Sequence, residues 1–251
     1  MTSIKFDRYT IFARLIPALV AIAPAIALVA AIIPWTKLSL SDALAVVPLG
    51  VLFMVFPDLA RRRGRAVEPH LILRMGGLPS IVMMRHNDPS FDKASKARLH
   101  SFLSLKLNEP SPTESEEAAD LSAADGFYSR GGTWLRENTR NQKDFSLLHS
   151  ESITYGFRRN LYGLRLPTLF LDAAILVGFL ASFYFGLAEK YWATGALVIT
   201  IAVLHAIYLV CFATESSASD AARIYARQLI LSAGSPKLAE KKTIPRKGKT
   251  K

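Results

Sequence analysis

The chain is poor in the residues on which most enzyme chemistry is built. Of its 251 residues one is cysteine, Cys211, so no intramolecular disulfide can form and no cysteine-based metal site is available. The four histidines outside the apolar runs, His70, His86, His100 and His149, are scattered. A phosphate loop, GxGxxG, HExxH, GxSxG and zinc-spaced Cys/His sets are all missing. These absences lead to the expectation of a non-enzymatic protein without a cofactor. Solenoid repeats are missing too. Positive charge is scarce in two short stretches, where Lys37 and Lys190 stand alone while the other 29 of 31 Lys and Arg residues lie elsewhere.

What is present is a set of long apolar runs. Residues 15–35 form a stretch of about 21 residues, enough at 1.5 Å per residue to span a hydrocarbon core of roughly 30 Å. A secretory signal would be shorter and would end at a small-residue cleavage site, so the run reads as a retained span. Residues 38–57 make a second, weaker span because its apolar core ends at Pro57 and Asp58. Residues 166–187 and 191–213 form a third and fourth, separated by the turn Ala188, Glu189, Lys190. The expected class is mainly α: a polytopic membrane protein with two transmembrane helical hairpins flanking a mostly helical cytoplasmic segment.

The domain reading is an N-terminal hairpin at 1–57, a cytoplasmic segment at 58–165, a C-terminal hairpin at 166–213, a cytoplasmic helix at 214–234 and a disordered basic tail at 235–251. Lys and Arg concentrate in cytoplasmic loops, so their distribution places both termini and the central segment in the cytoplasm. The expected location is the cytoplasmic (inner) membrane of a bacterium. More than half of the net charge of +11 falls after residue 213, where Lys241, Lys242, Arg246, Lys247, Lys249 and Lys251 accumulate. Attraction to anionic lipid explains such a tail better than nucleic-acid binding does.

Within the central segment, His70 to Met75 and Ser80 to Arg85 are β-tolerant runs joined by Gly76, Gly77, Leu78 and Pro79, and they predict a small β-hairpin. Asp88 and Pro89 predict an N-cap and first turn for a helix ending near Leu107. Ser111 to Glu114 predicts a capping box for a second helix, bent near Gly131 and Gly132. A third helix starts near Asp144 and runs into the third span, with Pro167 as a possible kink.

Three groups of residues invite function. His86, Asp88 and Asp92 imitate a small metal or acid-base cluster, although Asp88 is expected to serve as a cap. Arg136, Asn138, Arg140, Tyr155, Arg158, Arg159, Asn160 and Tyr162 combine guanidinium groups, amides and aromatic rings. They fit either a phosphate-bearing ligand such as a nucleotide, or lipid phosphates at the membrane interface. Asp172 and His205 are ionisable residues inside the last two spans. In an antiparallel hairpin centred between Ala188 and Glu189 they lie at matching depth, as an ion path, pH sensor or gate, or as an interhelical hydrogen bond.

The run Gly76, Gly77, Leu78, Pro79, with Arg85, Asp88, Lys96, Arg98 and Phe102, then Trp134 to Arg140 and Tyr155 to Leu164, resembles an uncharacterised family of bacterial membrane proteins. The resemblance covers roughly 90 residues and implies a membrane class without a reaction. Ser152 departs from the family pattern, which has asparagine after the glutamate. The architecture also resembles, more loosely, the four-helix membrane effectors of bacterial antiphage systems that respond to nucleotide second messengers. The resulting expectation is a ligand- or partner-gated, pore-forming effector that forms homo-oligomers. The alternatives are a membrane scaffold recruiting a cytoplasmic protein, and a transporter component.

Overall fold

A computed structural model describes residues 7–32, 46–186 and 192–241. Among them the chain is mostly helical and contains no strand. A π-helical turn, Thr10–Leu15, leads into α1 (Ile16–Ile32). There follow α2 (Val46–Arg74), α3 (Pro79–Val82), α4 (Lys93–Leu107), α5 (Glu114–Ala119), α6 (Leu121–Asn138), α7 (Ser146–Tyr184), α8 (Trp192–Phe212), α9 (Glu215–Leu231) and α10 (Pro236–Ala239). The chain divides into two units, Met1–Pro69 with Ile153–Ala218, and His70–Ser152 with Ser219–Lys251.

In the first unit, Thr10–Ala31, α7 and α8 are long and apolar enough to cross a membrane. That is compatible with a membrane protein. α2 is not among them: residues 38–45 of the expected second span lie outside the described residues, and the described apolar part gives way at Asp58 to Arg61, Arg62, Arg63 and Arg65. The two-hairpin layout is therefore not supported by the helices. Both expected loops, at 36–37 and 188–190, lie outside the described residues.

Small residues set how closely these helices pack. A Cβ on Gly163 would lie 2.5 Å from the Arg63 carbonyl, and one on Gly64 would lie 1.9 Å from Asn160 Oδ1. α2 and α7 thus meet backbone to backbone, as small residues allow. Ala18, Ala21, Ala60 and Leu164 form one buried cluster, Leu161, Leu209 and Ala213 a second, and Ile175, Val198 and Ala202 a third. The outer face is apolar as well: Phe170 is 74% exposed, Val177 65% and Leu204 61%. A surface this apolar suits a lipid solvent better than water.

The second unit has a conventional core of Met84, Leu103, Phe127, Tyr128, Trp134, Leu135 and Leu229. Here the β-hairpin expectation is overturned. α2 continues through His70 to Arg74, and Gly76 (φ 75°) and Gly77 (φ 131°) end it. The Gly77 N–H donates to Ile72 O and the Gly76 N–H to Leu73 O, the bond pair of a Schellman cap. The glycines that read as a hairpin turn are a helix stop. Leu71 is buried while Leu73 is 78% exposed, as helical geometry requires and strand alternation forbids.

Other boundaries shift for similar reasons. Asp92, not Asp88, caps α4 by accepting from the Ser95 N–H at 2.9 Å. Asp88 instead accepts from Ser90 N within a turn. The capping box is Thr113 with Glu116, two residues after the expected one. α6 is not interrupted at Gly131 and Gly132, where a Cβ on Gly131 would come 2.8 Å from the Leu103 side chain. α7 runs unbroken from Ser146 through Pro167 to Tyr184. The basic tail is folded at its start, since Leu238 of α10 is fully buried; residues 242–251 lie outside the described part.

Candidate functional site

Asp172 on α7 and His205 on α8 meet. His205 Nδ1 lies 3.2 Å from Asp172 Oδ1 and 3.1 Å from Oδ2, within hydrogen-bond reach of the carboxyl group. Asp172 is 1% exposed and the His205 side chain 9%. Along both helices the pair sits between two apolar clusters, Leu161 with Leu209 on one side and Ile175 with Val198 and Ala202 on the other. A charge at the centre of an apolar span costs about 2.5–3.5 kcal/mol, so pairing is the condition for keeping either residue there. His205 Nε2 is buried and has no hydrogen-bond partner among the described residues. The arrangement joins a carboxyl to one ring nitrogen and leaves the second ring nitrogen of the imidazole unengaged.

The basic and aromatic residues are placed differently from one another. In the first unit the Tyr155 hydroxyl donates to Glu68 Oε1 at 2.8 Å, and Arg159 NH1 donates to the same oxygen at 2.9 Å. The Arg159 guanidinium also lies over the Tyr155 ring, 5.4 Å from its centroid. Asn160 is fully buried and its amide donates to Ala13 O at 2.6 Å. Arg159 is therefore neutralised by Glu68, and Asn160 is committed to joining α7 to the π-turn. Arg158 lies over the Phe157 ring and Tyr162 is half-buried.

Arg136, Asn138 and Arg140 belong to the second unit. Arg136 donates to Thr133 Oγ1 at 3.1 Å and Asn138 to Trp134 O at 2.9 Å, both within α6, while Arg140 is exposed just past its end.

The second unit also holds a buried polar assembly. The Lys96 ammonium, 3% exposed, donates to Arg85 O at 2.5 Å, to His86 O at 3.1 Å and to Asp88 O. Burial holds its pKa below the usual lysine value, against the attraction of Asp88 and Glu117. Glu117 accepts from the His86 N–H at 2.9 Å and from the Tyr128 hydroxyl at 2.6 Å. Burial and this carboxylate both push the Tyr128 phenol up. His100 Nε2 donates to Met84 O at 2.8 Å, and burial pulls its imidazole below the ordinary value of 6.5. His86 Nε2 donates to Pro112 O.

His86, Asp88 and Asp92 thus turn to three separate structural tasks. No group of three His, Cys, Asp or Glu side chains able to hold a metal occurs among the described residues. No protein-family model matches the chain, and comparison with curated proteins and with solved structures finds no match.

Proposed function

We propose that this is a non-enzymatic protein of the bacterial inner membrane in which a ligand or partner, received by the helical second unit, changes the ion or proton permeability of the first. The observation that carries the reading is the Asp172 and His205 pair, buried in apolar helices with one ring nitrogen unpartnered. The continuity of α7 from Ser146 to Tyr184 supplies a mechanical link between the two functions. Other titratable residues are sparse along these helices: α7 has none between Asp172 and Tyr184, α8 has Tyr208 and Cys211 besides His205, and α1 has none.

In this reading residues 38–57 return the chain through the bilayer, so that the Lys- and Arg-rich segments and both termini share the cytoplasmic side. Cysteine labelling near Lys37 and Glu189 from outside, and near Arg63 from inside, tests the orientation. For the function, wild-type protein in liposomes leaks protons or potassium when oligomerised or given its ligand, and Asp172→Asn or His205→Phe abolishes the leak. Silence under every lipid, pH and ligand condition would sink the pore.

A scaffold role is the second reading. It is favoured by a groove of about 250 Å³ in the second unit, lined by Phe91, Arg98, Leu99, Phe102, Ile230 and Leu231. A stoichiometric partner recovered after gentle solubilisation, lost on Phe91→Asp and kept on Asp172→Asn, would establish it.

A further inference from the structure

A second cavity, of about 120 Å³, lies wholly in the first unit among α1, α2 and α7. Ala18, Ala21 and Ile22, Phe56 and Leu59, and Leu164, Pro167 and Leu171 line it, with Thr168 as the one polar side chain. Its size approaches the roughly 150 Å³ that takes a benzene-sized apolar guest and stays dry without one.

The helix directions fix what stands at one mouth. Asn160 touches both Ala13, through its hydrogen bond, and Gly64, through the close approach of its side chain. Going from that level into the cavity the chain ascends α1 from Ala13 to Ala18 and α7 from Asn160 to Leu164, but descends α2 from Gly64 to Ala60. α2 is therefore antiparallel to the other two. Arg14 and Arg63, the neighbours of Ala13 and Gly64, both fall at this mouth, four residues from Ala18 and from Leu59 respectively.

Neither arginine is in an ion pair or hydrogen bond with a carboxylate among the described residues. Asp7 accepts from the Thr10 N–H at 2.8 Å and is near enough to Arg14 for that charge to help lower its pKa, Glu68 holds Tyr155 and Arg159, and Asp58 is exposed. Arg14 lies over the Tyr9 ring, 5.3 Å from its centroid, which orders the guanidinium while leaving its N–H groups to donate.

An apolar slot that ends at two guanidinium groups outside any ion pair matches one molecule in a bilayer. We propose that this cavity binds an anionic phospholipid, with an acyl segment between α1, α2 and α7 and the phosphate on Arg14 and Arg63. The site rests on the bilayer reading but not on a pore. It differs from the expected basic patch, whose Arg159 is already neutralised.

The test is native mass spectrometry of the full chain released from nanodiscs of mixed phosphatidylglycerol and phosphatidylcholine. Wild type retains one phosphatidylglycerol, enriched over the bulk ratio. Arg14→Gln and Arg63→Gln each cut occupancy about fivefold, and Arg158→Gln leaves it unchanged. Ala18→Phe fills the slot and removes both lipids. If that variant does not fold, the arginine pair still decides. Retention at the bulk ratio, or equal loss with Arg158→Gln, overturns the proposal, as does displacement by free phosphate. Failure of the chain to enter nanodiscs at all would instead overturn the bilayer reading.

Discussion

The two units each bury charge, and they handle it in opposite ways. In the second unit Lys96, Glu117 and His100 are surrounded by backbone carbonyls, N–H groups and a phenol, and each of these contacts is made within the unit's own structure. In the first, Asp172 and His205 have each other, and a ring nitrogen is left over. A fully satisfied buried charge specifies a fold, because removing it orphans everything it held. An incompletely satisfied one keeps a capacity for proton exchange. The second unit's buried charges are thus spent on structure, and the first unit leaves one ring nitrogen without a partner among the described residues.

The largest effect that would sharpen this contrast is Lys96→Ala. It strands three carbonyls, and the loop they anchor between α3 and α4 should lose about 3–5 kcal/mol of stability in denaturant titration. A loss under about 1 kcal/mol would show that water replaces the ammonium and that the assembly is not structural.

Gly163→Ala comes next. Its Cβ would meet the Arg63 backbone at 2.5 Å, so α2 and α7 must separate, at a cost of about 1–3 kcal/mol in thermal unfolding in detergent. Unchanged unfolding would mean that this helix pair is not closely packed in the membrane.

Asp172→Asn should cost only about 0.6 kcal/mol, the average of interhelical hydrogen bonds in membrane proteins, while eliminating any leak. A large stability loss with intact permeability would reverse the comparison and make this pair the structural one.

A subtler effect is pH dependence in the second unit. His100 has a folded pKa below its ordinary 6.5, so the unfolded chain binds its proton first. Stability contributed by this residue's neutrality is intact above about pH 6.5 and is lost as pH falls below that value. Melting of the second unit should decline between about pH 7 and 5, and His100→Gln should flatten that decline. The smallest effect is Arg130→Ala. Its pair with Glu109 is exposed, 53% and 41%, and its removal should change stability by no more than about 0.5 kcal/mol.

Three long apolar helices and the matching depth of Asp172 and His205 were legible because each follows from helix geometry, rise per residue for the spans and mirror register for the pair; their contact was not. Thr113 and Asp92 as caps were almost legible, since the right residue types stand within four positions of those expected. The β-hairpin was misread because Gly76 and Gly77 supply positive φ equally to a turn and to a helix stop, and the choice depends on α2 arriving from upstream. Glu68 and Lys96 gave no signal. Each is an isolated charge whose meaning comes from a partner, 91 residues away for Glu68 and Arg159 and about ten for Lys96 and its carbonyls.

By itself, then, the order of residues determined the helical class, the apolar lengths and the side of the helices on which arginine gathers, because these depend on local composition and on the solvent each stretch prefers. Tertiary structure alone decided which charges are spent and which remain available. Arg159 is consumed by Glu68, the Lys96 ammonium by three backbone carbonyls, and His205 keeps one nitrogen without a partner among the described residues. Satisfaction of a polar group is a property of its neighbours in space, and no local pattern encodes it.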